Sequence, residues 1–154
     1  MADMSDLLPD APEQFPAETT SFALAGPAGK LECEAKPATE EGRRDAVAVL
    51  CHPLSTDGGS MHNKVVTMVE RALRESGADT VIFNFRSVGR SEGAFDHGNG
   101  ESDDLAAVVA WARKTRPGAA LWLAGFSFGS YVSLRNAVAL RADAPNSFAP
   151  PAAG

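Results

Sequence analysis

The chain has 154 residues, of which 44% are hydrophobic and 22% charged, the ordinary composition of one soluble globular domain. Its net charge of −6 argues against a nucleic-acid-binding surface and against a patch for anionic membranes. No apolar stretch reaches the roughly 18 residues of a membrane helix, and the acidic, proline-broken N-terminus does not resemble a secretory signal, so we expect a cytoplasmic protein without a membrane partner.

The N-terminal segment and the cysteines carry no signal for chemistry. Residues 1–18 contain proline, alanine and acidic residues without periodicity, which predicts a flexible arm before a domain over 19–154. Cys33 and Cys51 have no CxxC spacing, so we interpret both as buried thiols rather than as metal ligands or a disulfide.

The remaining pattern predicts an α/β fold. Two short runs on either side of the turn signal at 26–29 indicate a β-hairpin. Three continuous apolar runs follow, each typical of a strand buried on both faces and each followed by a helical pattern. Such alternation produces a mostly parallel, doubly wound sheet in a three-layer αβα sandwich. The strands are 46–50, 80–85 and 120–124, and the helical patterns lie in 62–77, 101–118 and 130–141.

The loop after the third of these strands contains the pattern G-x-S-x-G. Gly125 and Gly129 flank Ser127, at the point where the strand ends and a helix begins. A nucleophilic serine needs such a sharp, strained turn to present its Oγ, and side chains at the glycine positions would collide with the neighbouring strand and helix. A tight turn that needs small residues only for packing is the alternative. The strand–helix context favours a nucleophile.

Backbone N–H groups near this serine are candidates for an oxyanion hole. Phe128 follows the serine at the start of its helix, and Leu54 lies in the loop "CHPLSTDGG" after an earlier strand. We predict that these two N–H groups bind the oxyanion, since such holes use main-chain donors. His52 lies in the same loop, where bracing the loop by hydrogen bonds is favoured over a role as catalytic base.

Other polar side chains are candidates for lining the site. His97 lies in a loop on the same edge of the sheet, where substrate contact competes with simple solvation. Arg86 could bind a substrate carboxylate, but knitting loops together through carbonyl groups is the favoured role. His62 is expected to be exposed or to cap a helix. The three histidines lack metal-ligand spacing, so no metal site is predicted.

Four segments together carry a family resemblance. "LAGPAGKLE", "CHPLSTDGGSMHNKVV", "FNFRSVGRSEGAFDHGNGESDDL" and "LWLAGFSFGSYVSLR" resemble, in this order, the bacterial α/β-hydrolase family of small lidless serine hydrolases. The resemblance runs from about residue 20 to the end. It implies the α/β-hydrolase type of sheet and a Ser–acid–His triad without a cofactor. It also implies action on small-molecule, ester-like acyl substrates through an acyl-enzyme at Ser127.

The chain departs from this family at several positions. Members typically carry a second His-Pro where Leu54-Ser55 stands and a glycine where Ser87 stands, and Asn84 takes the place of an aspartate. All three histidines precede Ser127, and Asp143 is the only acidic residue after it. By this resemblance we expect an incomplete domain that lacks the last two strands, has neither triad acid nor triad histidine, and is inactive or impaired as an enzyme.

Two functions therefore stay open from the sequence. The first is a serine hydrolase, and the second is a non-catalytic binding module that keeps the pocket without the chemistry. An unpaired sheet edge would favour self-association in either case. A nucleotide-binding site would need G-x-G-x-x-G after the first parallel strand, and that motif is absent from the sequence.

Overall fold

A computed structural model describes residues 7–54, 59–141 and 144–147, the last range by its backbone only. Six strands form one sheet in the order β1-β2-β4-β3-β5-β6. β1 and β2 pair antiparallel, β2 pairs antiparallel with β4, and the remaining neighbours are parallel. The elements are β1 (Thr20–Gly26), β2 (Gly29–Lys36), β3 (Ala46–Cys51), α1 (Lys64–Glu75), β4 (Asp79–Phe83), α2 (Asn99–Thr115), β5 (Ala120–Gly125), α3 (Phe128–Ala137) and β6 (Ala144–Ser147).

The two layers of helices follow from the apolar strands. Alternate residues of β3 point to opposite faces, so Val47 and Val49 join the core under α2 and α3, whereas Ala48 and Leu50 join the core under α1. Every residue of β3 is buried, which is why its sequence is a continuous apolar run. The predicted αβα sandwich and hairpin are confirmed.

Element boundaries differ from the prediction by a few residues. β4 ends at Phe83 rather than at residue 85, because the chain then turns so that Asn84 bonds to Glu32 of β2 and Phe85 bonds to His52 in the loop after β3. α3 ends at Ala137, although the apolar pattern continues to residue 141. α1 begins at Lys64 behind an Asn63 side chain that accepts from the Val65 N–H at 2.9 Å.

The described part of the N-terminal segment, predicted as an arm, contacts β1 and α2. The N–H of Ala23 in β1 donates to the Pro9 carbonyl at 2.8 Å, and the Trp111 indole N–H donates to the Pro12 carbonyl at 2.9 Å. Phe15 also packs its ring 5.7 Å from that of Trp111. Residues 7–18 are therefore held on β1 and α2, since they supply acceptors that a buried indole requires. Residues 1–6 lie outside the described part of the chain.

The two cysteines are core residues, as the sequence indicated. Cys33 and Cys51 are both buried and reduced. Burial raises the pKa of the Cys51 thiol to about 12 and that of Cys33 far above its ordinary value. Both thiols are therefore protonated at neutral pH and lack the thiolate character that reactive cysteines need.

Candidate active site

Ser127 lies at a strained corner between β5 and α3. Its backbone has φ 55° and ψ −118°, a left-handed conformation that residues with a side chain rarely adopt. The side chain is exposed, and no hydrogen bond to its Oγ occurs within the described residues. The hydroxyl is thus presented to solvent at the carboxyl end of a parallel strand, the usual place for a ligand in such a sheet.

The two flanking glycines allow this corner by close backbone contact. A Cβ atom on Gly125 would lie 2.3 Å from the Gly129 carbonyl oxygen. A Cβ on Gly129 would lie 2.1 Å from the carbonyl oxygen of Cys51. α3 therefore begins directly against the end of β3, closer than any other residue type permits.

The predicted oxyanion donors lie at the ends of the two adjacent strands β3 and β5. Leu54, which is half-buried, and Phe128, the first residue of α3, have N–H groups that donate no hydrogen bond to another described residue. The N–H of Gly59 donates to the Leu54 carbonyl at 3.0 Å, and residues 55–58 between them lie outside the described residues. Within the described part of the chain, no acceptor thus occupies these two N–H groups on the edge that presents Ser127.

His52 braces the loop after β3 through both ring nitrogens. Its Nδ1 lies 2.6 Å from the Pro53 carbonyl and its Nε2 lies 3.1 Å from the Phe85 N–H. This pattern assigns the proton to Nδ1 and makes Nε2 the acceptor. Burial lowers the pKa of His52 to about 4, so the imidazole is neutral at pH 7. Because both nitrogens are engaged, neither is free to accept a proton from Ser127.

We expect this neutral histidine to make the fold sensitive to acid. Its pKa is about 4 in the folded chain and near 6.5 when unfolded, so the unfolded state binds more protons between those values. The free energy of unfolding should fall by about 3 kcal/mol as the pH drops from about 6.5 to 4. Urea unfolding at several pH values would measure this loss, and a His52→Gln variant should lack it. Parallel pH curves for the two proteins would contradict the assignment.

Arg86 binds the buried carboxylate of Asp104 rather than facing the site. Its Nε and Nη2 donate to that carboxylate at 3.1 and 2.9 Å, and its backbone N–H donates at 3.0 Å. Nη2 also donates to the Gly100 carbonyl at 2.9 Å. These bonds to Asp104 raise the pKa of the guanidinium above its ordinary value. The side chain joins the loop after β4 to α2, the knitting role that the sequence favoured.

Asn84 fastens the same loop to β2 and to the loop before α1. Its Oδ1 accepts from the Met61 N–H at 2.7 Å, and its Nδ2 donates to Glu32 Oε1 at 2.8 Å. An aspartate here would face the Glu32 carboxylate with like charge and no proton to donate. Glu32 thus explains why an amide stands at this position. Ser87, at the other departure from the family pattern, adopts φ 71°, a backbone conformation that glycine adopts more easily.

The two remaining histidines, His97 and His62, interact with residues other than Ser127. His97 is exposed with φ 55°. Its ring centroid lies 4.9 Å from that of Phe95, in an edge-to-face arrangement. His62 is exposed and lies 3.4 Å from Glu34. No hydrogen bond between Ser127 and any histidine occurs within the described residues. Asp143 lies outside them.

Sequence reasoning missed three residues that shape this edge. Asp104 and Glu101 are fully buried carboxylates in α2, and Phe95 is an exposed ring in the loop before it. The acidic first turn of α2 was visible in the sequence, but its partners were not.

Among the described residues, no helix is long and apolar enough to cross a membrane, and no three His, Cys, Asp or Glu side chains are placed to share a metal ion.

The comparison with family models decides the family. Residues 49–145 match the model of the alpha/beta hydrolase fold. The chain belongs to the α/β hydrolase family. The match spans the loop after β3 and the serine corner, so the elements that place Ser127 lie within the matched region.

Solved structures support the same family, and a curated relative matches much of the chain. XC6422 of Xanthomonas campestris, an α/β serine hydrolase without a lid, is 56% identical over 92% of this chain, with a TM-score of 0.88. An α/β serine hydrolase homologue from Coxiella burnetii is 40% identical over 90% of the chain, with a TM-score of 0.85. An uncharacterized protein of Rickettsia prowazekii is 35% identical over 111 residues, 71% of the chain. This chain spans 65%, 66% and 46% of the lengths of these three proteins, respectively.

Proposed function

We propose that Ser127 is the nucleophile of a serine hydrolase that acts on ester-like acyl substrates. The observation that carries this proposal is the exposed hydroxyl at φ 55°, held between two glycines that no other residue could replace without backbone clashes. Strain of this kind persists where the surroundings impose it, and it places Oγ outward. The N–H groups of Leu54 and Phe128, which donate to no other described residue, support an oxyanion hole on the same edge.

The proposed reaction proceeds through an acyl-enzyme. Ser127 Oγ bonds to the acyl carbon, its proton passes to a base, and the carbonyl oxygen gathers negative charge that the two N–H groups stabilise. The carbon–oxygen bond to the alcohol then breaks, and the alcohol leaves with the proton. Water later attacks the acyl carbon by the same route, which releases the acid and restores the hydroxyl.

We further propose that the 154-residue chain by itself performs this reaction slowly. His52 uses both ring nitrogens elsewhere, and the described residues provide no other histidine bonded to Ser127. A positioned general base contributes about 10²–10⁴-fold to such reactions. Oxyanion donors and binding alone still leave measurable catalysis when triad members are removed.

Labelling with a fluorophosphonate tests the nucleophile and the missing base together. We expect one adduct per chain at Ser127, with the phosphorus–fluorine bond broken and fluoride released. Added imidazole should accelerate labelling by at least about tenfold, because it supplies a base that the described residues do not position at Ser127. Intact-mass spectrometry over time measures both effects. Ser127→Ala should abolish the adduct, whereas Ser21→Ala, which removes another exposed serine on β1, should label as the parent does.

The result also separates the second candidate function. β6 pairs with β5 on one side, and no strand within the described residues lies on its other side. This edge supports a binding module, including self-association, that has kept the fold without its chemistry. Absence of any Ser127 adduct, with and without imidazole, would favour that module over the hydrolase. An adduct that persists in Ser127→Ala would contradict the nucleophile assignment.

A further inference from the structure

A row of aromatic rings runs from the core to the loop beside Ser127. The ring of buried Phe85 lies 4.9 Å from that of His52 and 5.7 Å from that of Phe128. Phe128 in turn lies 5.7 Å from Phe95, and Phe95 lies 4.9 Å from His97. The inner rings are buried, Phe128 is half-buried, and the outer two are exposed. The row therefore ends as an open aromatic surface.

This surface adjoins the proposed reaction centre. Phe128 directly follows Ser127, and its N–H is one of the two proposed oxyanion donors. Phe95 lies in the loop after β4, and its ring contacts that of Phe128. Although Phe95 is a large apolar side chain, it is 40% exposed. We call Phe95 and Phe128 the aromatic wall. Because Phe128 follows Ser127 directly in the chain, the wall belongs to the same corner that carries the proposed nucleophile.

The loop that carries Phe95 is held in place by carboxylates. Glu101, which is fully buried, accepts hydrogen bonds from the N–H groups of Asp96 and Gly98, both at 2.8 Å. The Asp96 carboxylate accepts from the Gly100 N–H at 2.9 Å. These bonds also hold His97 at φ 55°. The outer ring is thus positioned before any ligand arrives, which reduces the entropy lost on binding.

We propose that the aromatic wall binds an aryl group of the ester substrate and that Phe95 determines this preference. The two rings meet at 51°, tilted rather than stacked, and the Phe95 ring is open to solvent. A further ring can contact it in an offset or edge arrangement, which favours an aromatic group over an aliphatic group of equal size. The proposal rests on the proposed function only in taking Ser127 as the reacting end of the site.

Binding to the Ser127→Ala chain tests the wall without turnover. Methyl benzoate and benzyl acetate carry the ring on the acyl and the alcohol side, respectively, and their cyclohexyl analogues provide matched aliphatic probes. NMR titration measures each dissociation constant. We expect one of the two aryl esters to bind about three- to tenfold more tightly than its cyclohexyl analogue. Adding Phe95→Leu should remove this preference and leave the cyclohexyl affinity within about twofold.

A second measurement and a control variant keep the test independent of folding. Intermolecular nuclear Overhauser effects from the bound aryl protons to the Phe95 and Phe128 rings are expected in the Ser127→Ala chain. Tyr131→Leu removes a ring that is also 40% exposed but makes no ring contact with the wall, and it should retain the aryl preference. Equal loss of aryl and cyclohexyl binding in Phe95→Leu, or aryl contacts elsewhere, would overturn the proposal. Ser127 labelling is scored separately, so an inert serine would not be mistaken for a failed wall.

Discussion

Replacing Arg86 with leucine is expected to lower the free energy of unfolding by about 3–5 kcal/mol. The guanidinium is 11% exposed, and Asp104, its partner, is fully buried. Removing the cation leaves a buried carboxylate with one remaining hydrogen bond from the backbone N–H of residue 86. An uncompensated buried charge costs far more than a surface ion pair contributes. Chemical denaturation of the purified variant measures the loss.

Two further variants identify the cause. Arg71→Leu breaks an exposed pair in which Arg71 lies 2.9 Å from Glu75, and it should cost less than about 0.5 kcal/mol. Adding Asp104→Leu to Arg86→Leu should recover most of the lost stability, since replacing both members of a buried pair by apolar residues is often nearly neutral. A double variant no more stable than the single one would show that lost packing, not the stranded carboxylate, is responsible.

Gly129→Ala is expected to destabilise the fold by about 3 kcal/mol, the upper part of the usual range for overpacking. The added Cβ would lie 2.1 Å from the Cys51 carbonyl oxygen and 2.6 Å from that of His52, and both are backbone atoms that a rotamer change cannot move. α3 would have to retreat from the end of β3. Thermal and urea unfolding measure the cost, and we also expect slower fluorophosphonate labelling of Ser127.

Gly42→Ala is the matched control for this variant. Its Cβ would meet nothing within 4 Å, but its φ of +85° makes any side chain strained. This variant should therefore lower the free energy of unfolding only through the strained backbone conformation, by about 1 kcal/mol. If Gly129→Ala cost no more than Gly42→Ala, the close contact between α3 and β3 would not be what requires glycine at the serine corner.

His52 and His97 have different roles because one is buried and the other is exposed. His52 is held neutral by burial and by two hydrogen bonds, which suits a brace and prevents a base. His97 is exposed beside Phe95, where it borders the aromatic wall. The acid dependence of stability therefore reports on His52, whereas the imidazole dependence of labelling reports on Ser127. The two experiments are independent of each other.

Local patterns in the sequence were enough for most of the fold. β3 and β5 are continuous apolar runs because each faces two helical layers, and burial of this kind is visible without knowing the neighbours. The serine corner was equally visible, because backbone approach within 2.1–2.3 Å of a Cβ position excludes all residues but glycine. The helix ends were less accurate: α3 stops at Ala137 although its apolar pattern continues.

Contacts between distant residues were decided by the tertiary structure alone. Arg86 and Asp104 are 18 positions apart. Phe95 lies in the loop after β4 and Phe128 begins α3, and the two meet only because parallel strands end at one edge. The contact of the N-terminal segment with α2 likewise depends on the direction of the Trp111 indole N–H, which donates to the Pro12 carbonyl. The sequence by itself determined the layered fold, the family pattern and the strained serine, because periodicity and glycine requirements are local. Which carboxylate balances Arg86, which ring contacts Phe128 and what His52 bonds to depended on packing, because one-dimensional patterns do not encode the register between elements.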